Sequence, residues 1–86
     1  MEYVYLVESR IDYDGSDIIA TFKTKEKAMK FRDDIYSLKQ RVNDRLQDVD
    51  YNNTDEKYIE LNTKLESLGG YSGDDGYRII EIELGD

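Results

Sequence analysis

The chain has no cysteine, no histidine and no tryptophan among its 86 residues. Without cysteine, neither a disulfide nor a thiolate metal site can form, and a reducing compartment is the simplest setting. Without histidine as well, Ser-His and Cys-His nucleophile pairs, the commonest general base and the usual zinc ligands are all excluded. Carboxylates, lysines and tyrosines remain for catalysis. With twenty Asp and Glu in the chain, two carboxylates near each other in sequence carry no information. A protein that is not an enzyme and holds no cofactor or metal is expected. Long apolar runs are missing too, and nothing approaches the ~18–20 residues of a membrane span, so no membrane partner is expected. Met1 leads straight into a strand-like run, with no basic segment followed by an apolar one in the manner of a secretory signal. The expected location is the cytoplasm.

What is present is charge. The chain is 37% charged and 38% hydrophobic, with a formal net charge of −8. Residues 23–45 hold eight basic residues (Lys23, Lys25, Lys27, Lys30, Arg32, Lys39, Arg41 and Arg45) against four acids. The rest of the chain holds four bases and sixteen acids. An acidic body with one basic helix can meet a basic protein with the first or a phosphate backbone with the second. The length makes a single domain over residues 1–86. A chain of this size buries roughly 60–65% of its unfolded surface, which makes a homodimer interface a natural source of extra stability.

Hydrophobic spacing gives the order of elements. Residues 3–9 are β-branched and aromatic with apolar side chains on both faces, the pattern of a central strand covered on each side. Asp14-Gly15 supplies hairpin-turn chemistry, and residues 17–22 read as the return strand. Thr24 caps a helix over about 25–48, whose apolar residues Ala28, Phe31, Ile35, Leu38, Val42, Leu46 and Val49 recur at steps of three and four. Such a helix runs roughly 36 Å, whereas a strand of six or seven residues covers about 20 Å. Its far end must overhang the sheet and find another surface. Thr54 or Asn53 is expected to cap a second helix carrying Tyr58, Leu61, Leu65 and Leu68, and Gly69-Gly70 ends it. Tyr77 to Leu84 is the last strand, with Ile80, Ile82 and Leu84 on one face and Tyr77, Ile79, Glu81 and Glu83 on the other. The expected class is α+β: a ββααβ chain with a three-stranded sheet, and a long and a shorter helix forming a helical hairpin on one face.

Two motifs invite a site reading and fail it. A calcium loop starting at Asp12 needs glycine at its sixth position and glutamate at its twelfth, and Asp17 and Lys23 stand there. The glycine-rich run from Gly69 to Gly73 follows a helix and lacks the Gly-Lys-Ser/Thr ending of a phosphate loop. Lys25 and Lys27 lie in the first turn of the long helix, where the macrodipole disfavours cations by ~0.3–1 kcal/mol each. A solvated helix more often places acids there. Of the eight tyrosines, Tyr3, Tyr5, Tyr58 and Tyr77 sit on patterned faces. Tyr13, Tyr51 and Tyr71 fall in turns, where exposed rings suit protein interfaces or stacking on bases.

The opening Met1-Glu2-Tyr3-Val4-Tyr5-Leu6-Val7, the helix start Phe22-Lys23-Thr24-Lys25-Glu26-Lys27-Ala28 and the closing Tyr77-Arg78-Ile79-Ile80-Glu81-Ile82-Glu83-Leu84 resemble a family of small uncharacterised domains of phage and bacterial genomes. The resemblance implies a strand-strand-helix-strand core with no assigned activity. The chain departs from it in its longer first helix and its second helix. The small acidic character is similar to that of phage host-takeover proteins, which act by binding host factors.

The expected function is thus a small, acidic regulatory binder that engages a basic site on a host protein. Its candidate surface comprises Asp12, Asp14, Asp17, Asp48, Asp50, Asp55, Glu56, Asp74 and Asp75. The alternative is binding of RNA or single-stranded nucleic acid by Lys23, Lys25, Lys27, Lys30, Arg32, Lys39, Arg41 and Arg45. A homodimer is expected to form through Leu38, Val42, Leu46, Val49, Leu61 and Leu65 of the overhanging hairpin. A purely structural dimer with no outside partner is a third reading.

Overall fold

A computed structural model describes residues 2–11 and 15–85. The order is β1 (Glu2–Ile11), β2 (Gly15–Phe22), α1 (Lys25–Asp48), α2 (Glu56–Ser67) and β3 (Gly76–Leu84). The strands form one antiparallel sheet in the order β2-β1-β3, with Val7 opposite Ala20 on one side and Ile79 on the other. This is the expected ββααβ arrangement of the α+β class. Gly15 takes the left-handed backbone (φ 95°) that its place beside the first turn required. Asp12, Tyr13 and Asp14 lie outside the described residues.

The register decides which side chains share a face. Tyr5, Val7 and Ser9 stand with Glu81, Ile79 and Tyr77 on one face, and Val4, Leu6 and Glu8 stand with Ile82, Ile80 and Arg78 on the other. Helix α1 covers only the first. Val7 and Ala28 are completely buried there, and the Phe22 and Phe31 rings meet at 5.4 Å. A β-bulge at Val7/Glu8 lets Ile19 pack toward the helices alongside Ala20. The expectation that β1 is covered on both sides is therefore corrected. The strand is central, but among the described residues no layer covers its second face.

The overhang expected of the long helix is present, and α2 is what covers it. Ile35 and Val42 of α1 pack with Leu61 and Leu65 of α2 in the main core, flanked by Ile19, Phe31, Leu38, Tyr58 and Tyr77. The expectation that Val42, Leu61 and Leu65 form a dimer interface is corrected. They are 0%, 5% and 0% exposed inside one chain, because the apolar stripes of the two helices satisfy each other. Leu38, Leu46 and Val49 are half-buried beside them. The resulting particle is long and thin, with extents of 53 × 26 × 15 Å.

Both helices end in the same hydrogen-bond pattern. At the end of α1, the Tyr51 N–H bonds the Leu46 carbonyl at 2.7 Å and the Asp50 N–H bonds that of Gln47 at 3.1 Å. At the end of α2, the Gly70 N–H bonds the Leu65 carbonyl and the Gly69 N–H bonds that of Glu66, both at 3.0 Å. These are Schellman motifs, which place the first residue past the cap in the left-handed region. At α2 that residue is Gly69 (φ 89°), as a glycine should be. At α1 it is Asp50 (φ 52°), followed by Tyr51 (φ 63°), neither of them glycine.

Candidate functional site

The protruding end of the hairpin, from Gln47 to Glu56, collects the features that distinguish one surface from the rest. Asp48, Asp50 and Glu56 are exposed there, and Tyr51 is 69% exposed at its apex. No lysine or arginine occurs in this stretch. A left-handed backbone costs an L-residue roughly 1–2 kcal/mol, and it is uncommon for a bulky side chain such as tyrosine. The loop is nevertheless well braced. Asn52 Oδ1 accepts from the Thr54 N–H at 3.1 Å and from its hydroxyl at 2.7 Å, and the Asp55 N–H reaches the Asn52 carbonyl at 3.2 Å.

A two-pronged ion pair ties the base of this tip. Arg45 donates from Nε to Asp55 Oδ2 and from Nη2 to Asp55 Oδ1, each at 2.9 Å. The same Oδ2 accepts the Tyr58 N–H at 2.9 Å, so Asp55 is the N-cap of α2 in place of the expected Thr54 or Asn53. A carboxylate can receive both the helix N–H and the guanidinium, whereas a hydroxyl or amide cannot neutralise the arginine. The Arg45 hydrogen bonds, followed by the Tyr58 N–H, pull the Asp55 carboxyl down to about 2. The sequence alone suggests nucleic acid as the partner of Arg45 and a basic protein as that of Asp55. The structure pairs them with each other across the hairpin.

The other basic residues do not gather on one face. Lys25 and Arg32 border the cleft between α1 and β3, a hollow of about 510 Å³ floored by Tyr5, Met29 and Ile79. Lys27 and Lys30 lie beside Phe22 and Phe31, Arg41 and Arg45 lie beside Lys57 of α2, and Lys23 sits near Glu2 and Leu84. Several already have company. Lys30 meets Asp34 at 2.7 Å, Arg32 meets Asp33 at 3.2 Å, and Lys39 lies 5.5 Å from the centre of the Tyr36 ring. Among the described residues, Lys23, Lys25, Lys27 and Arg41 make no ion pair.

The acids divide as well. Asp74 is 3% exposed, and its Oδ2 accepts from the Tyr71 N–H and the Tyr77 hydroxyl, both at 2.8 Å. It braces the loop before β3 and offers nothing to a partner. Burial, then this hydrogen bond to Asp74, pushes the Tyr77 phenol well above its ordinary value. Asp75 is exposed, with its N–H held by the Arg10 carbonyl, and Asp17 is exposed on edge strand β2. Asp12 and Asp14 fall outside the described residues. Of the nine acids in the candidate surface, Asp48, Asp50 and Glu56 are thus the group brought together with an exposed aromatic ring. Tyr51 was placed in a turn by its sequence context, but its left-handed backbone had no signal there, because such a position is normally read from glycine.

No helix among the described residues is long and apolar enough to cross a membrane. Among the described residues, no three of the His, Cys, Asp or Glu side chains are grouped to hold a metal ion. No curated protein and no solved structure matches the chain. Residues 2–66, which run from the start of β1 almost to the end of α2, match the family model described as a domain of unknown function (DUF7336), and the chain belongs to that family.

Proposed function

We propose that this chain is a non-enzymatic binding protein that docks the tip of its helical hairpin on a basic site of another protein. The observation that carries the proposal is the pair of Schellman motifs. Where the turn lies against Ile19 the chain uses glycine, and at the protruding tip it keeps Asp50 and Tyr51 in the same strained backbone region. Strain held at an exposed, well-braced position is a mark of functional sites. Tyrosine is among the residues that anchor interfaces, and a collar of Asp48, Asp50 and Glu56 would attract and orient a basic surface. The partial neutralisation of the basic residues by Asp33, Asp34 and Asp55 supports the acidic side as the working one. In the setting suggested by the resemblance to phage host-takeover proteins, the partner is a host protein in the cytoplasm that itself binds DNA.

Affinity capture from a host lysate, with and without nuclease, tests the proposal. The wild-type chain is expected to retain a basic protein in both conditions. A folded Asp48→Asn, Asp50→Asn, Glu56→Gln, Tyr51→Ala variant is expected to lose it. Retention by that variant rules the tip out. The second reading rests on Lys23, Lys25 and Lys27 near the start of α1, which make no ion pair among the described residues. If they bind RNA or single-stranded DNA, a gel shift appears at low salt and fades steeply as salt rises. Its absence at low salt removes that reading.

A further inference from the structure

The face of the sheet that the helices leave open is the largest feature that the hairpin tip does not explain. Register places Val4, Leu6, Ile18, Ile80, Ile82 and Leu84 on it. Ile18 is 49% exposed, Ile82 39% and Leu84 42%, with the other three half-buried only by their neighbours. A contiguous apolar patch of this kind on a small soluble chain marks an interaction surface. It also accounts for the apolar residues on both faces of β1, only one of which the helices use.

Charge identifies the occupant. Strand register puts four charged residues on this face: Glu2, Glu8, Arg10 and Arg78. With Lys23, which borders the face beside Glu2 and Leu84, they sum to +1 on a chain of net −8. Glu8 is almost fully buried, with Oε1 2.9 Å from Arg78 Nε but not aligned as a hydrogen bond. A further layer over the sheet would shield that ion pair from water. Two copies of an acidic chain repel each other across most of their surfaces, and here they can meet without that cost. The face is also self-complementary. Glu2 stands at one end of β1 and Arg10 at the other. A two-fold axis lying between stacked sheets, across the strands, sets β1 antiparallel to its mate and places each Glu2 end over an Arg10 end.

We infer that a second copy of this chain packs on the open face, making a four-layer particle with both sheets inside. Nine residues of β3 span about 30 Å and three strands about 14 Å, so each copy contributes roughly 400 Å² in projection. That is below the ~800 Å² per partner of standard stable interfaces, which makes the dimer weak and dependent on concentration. Antiparallel stacking points the two hairpin tips toward opposite ends of the particle.

Sedimentation equilibrium on the full chain tests this. The weight-average mass is expected to rise from 10.1 kDa toward twice that as concentration increases from micromolar to about 1 mM. Ile82→Lys is expected to raise the dissociation constant at least tenfold, and Ile59→Lys, exposed on α2, is expected to leave it unchanged. Glu2→Arg and Arg10→Glu each weaken the dimer, and the two together restore it. These two residues are exposed, so the swap does not depend on any core substitution. A monomer at about 1 mM, a dimer broken by Ile59→Lys and not by Ile82→Lys, or a double swap no tighter than the single changes each overturn the inference.

Discussion

Replacing Asp50 by glycine is expected to make the protein more stable and a poorer binder. Asp50 occupies the left-handed position of the α1 Schellman motif at φ 52°, with its N–H on the Gln47 carbonyl. That backbone costs a residue with a Cβ roughly 1–2 kcal/mol, somewhat less for aspartate. Glycine removes the strain but adds about 0.4–1 kcal/mol of freedom to the unfolded chain. A net gain of about 0.5–1 kcal/mol follows, or roughly 2–8 °C in Tm for a chain of this size. The mirror change at the end of α2 has the opposite sign. Gly69 sits at φ 89°, and a Cβ there would lie 3.0 Å from the Cβ of Ile19. Gly69→Ala therefore suffers both strain and crowding, and loses about 1–3 kcal/mol. Urea titrations of the two variants beside wild type measure both effects, and capture of the partner by Asp50→Gly measures the other half. If Asp50→Gly is neutral or destabilising, the aspartate has a structural role at the tip. The strained loop then says nothing about binding.

Acid should loosen the hairpin through Asp55. Its carboxyl is lowered to about 2 in the folded chain by Arg45 and the Tyr58 N–H. Its contribution is thus complete above the ordinary carboxylate value near 4 and is lost as pH falls toward 2. Urea midpoints at pH 5, 3 and 2 should fall more steeply for wild type than for Asp55→Asn, and parallel curves would refute the pairing. Asp74→Ala strands the Tyr77 hydroxyl and the Tyr71 N–H and should cost about 1–4 kcal/mol, measured by the same titration; a change below ~0.5 kcal/mol, the range of ordinary surface substitutions, contradicts the bracing role. Raising salt from 0.1 to 1 M shortens the screening length from about 10 to about 3 Å. The acidic tip should then lose its partner while the dimer of acidic chains holds or tightens, and joint weakening would show that the two contacts are not electrostatically distinct.

The local parts of this fold could be read from the chain. Steps of three and four residues located α1 over residues 25–48, and Thr24 capped it as expected, accepting the Lys27 N–H at 3.3 Å. The length mismatch between helix and strand foretold the overhang. What pattern could not supply was the choice of neighbour. Val42, Leu61 and Leu65 form an apolar stripe whether the facing stripe belongs to the same chain or to a second one, and only the hairpin turn decides. Ile80, Ile82 and Leu84 alternate with Tyr77 and Ile79 in the same way, and periodicity does not tell which set the helices take. Arg45 and Asp55 are ten residues apart across a turn, so neither stood out as the other's partner. The N-cap was misplaced for the same reason. Thr54 looks like a cap by residue type, but Asp55 also answers a charge that only the folded hairpin brings near.

The uneven charge of the chain takes a different meaning once the hairpin is closed. Helix α2 folds back along the overhang of α1 and brings Asp55 to Arg45, while Asp33 and Asp34 of α1 itself answer Arg32 and Lys30. The basic segment is thereby divided around the helix, and part of it is spent on holding the hairpin together. Asp48, Asp50 and Glu56 around the α1–α2 connection make no such ion pair among the described residues. Charge that is compensated internally gives the fold its shape, and charge left at the end of a lever gives it reach. A longer sheet could have supported α1 without α2, but the connection would then have lain against the sheet. The overhang and its covering helix place Tyr51 and its acidic collar at the far end of a 53 Å particle, clear of the sheet and of any copy stacked on it.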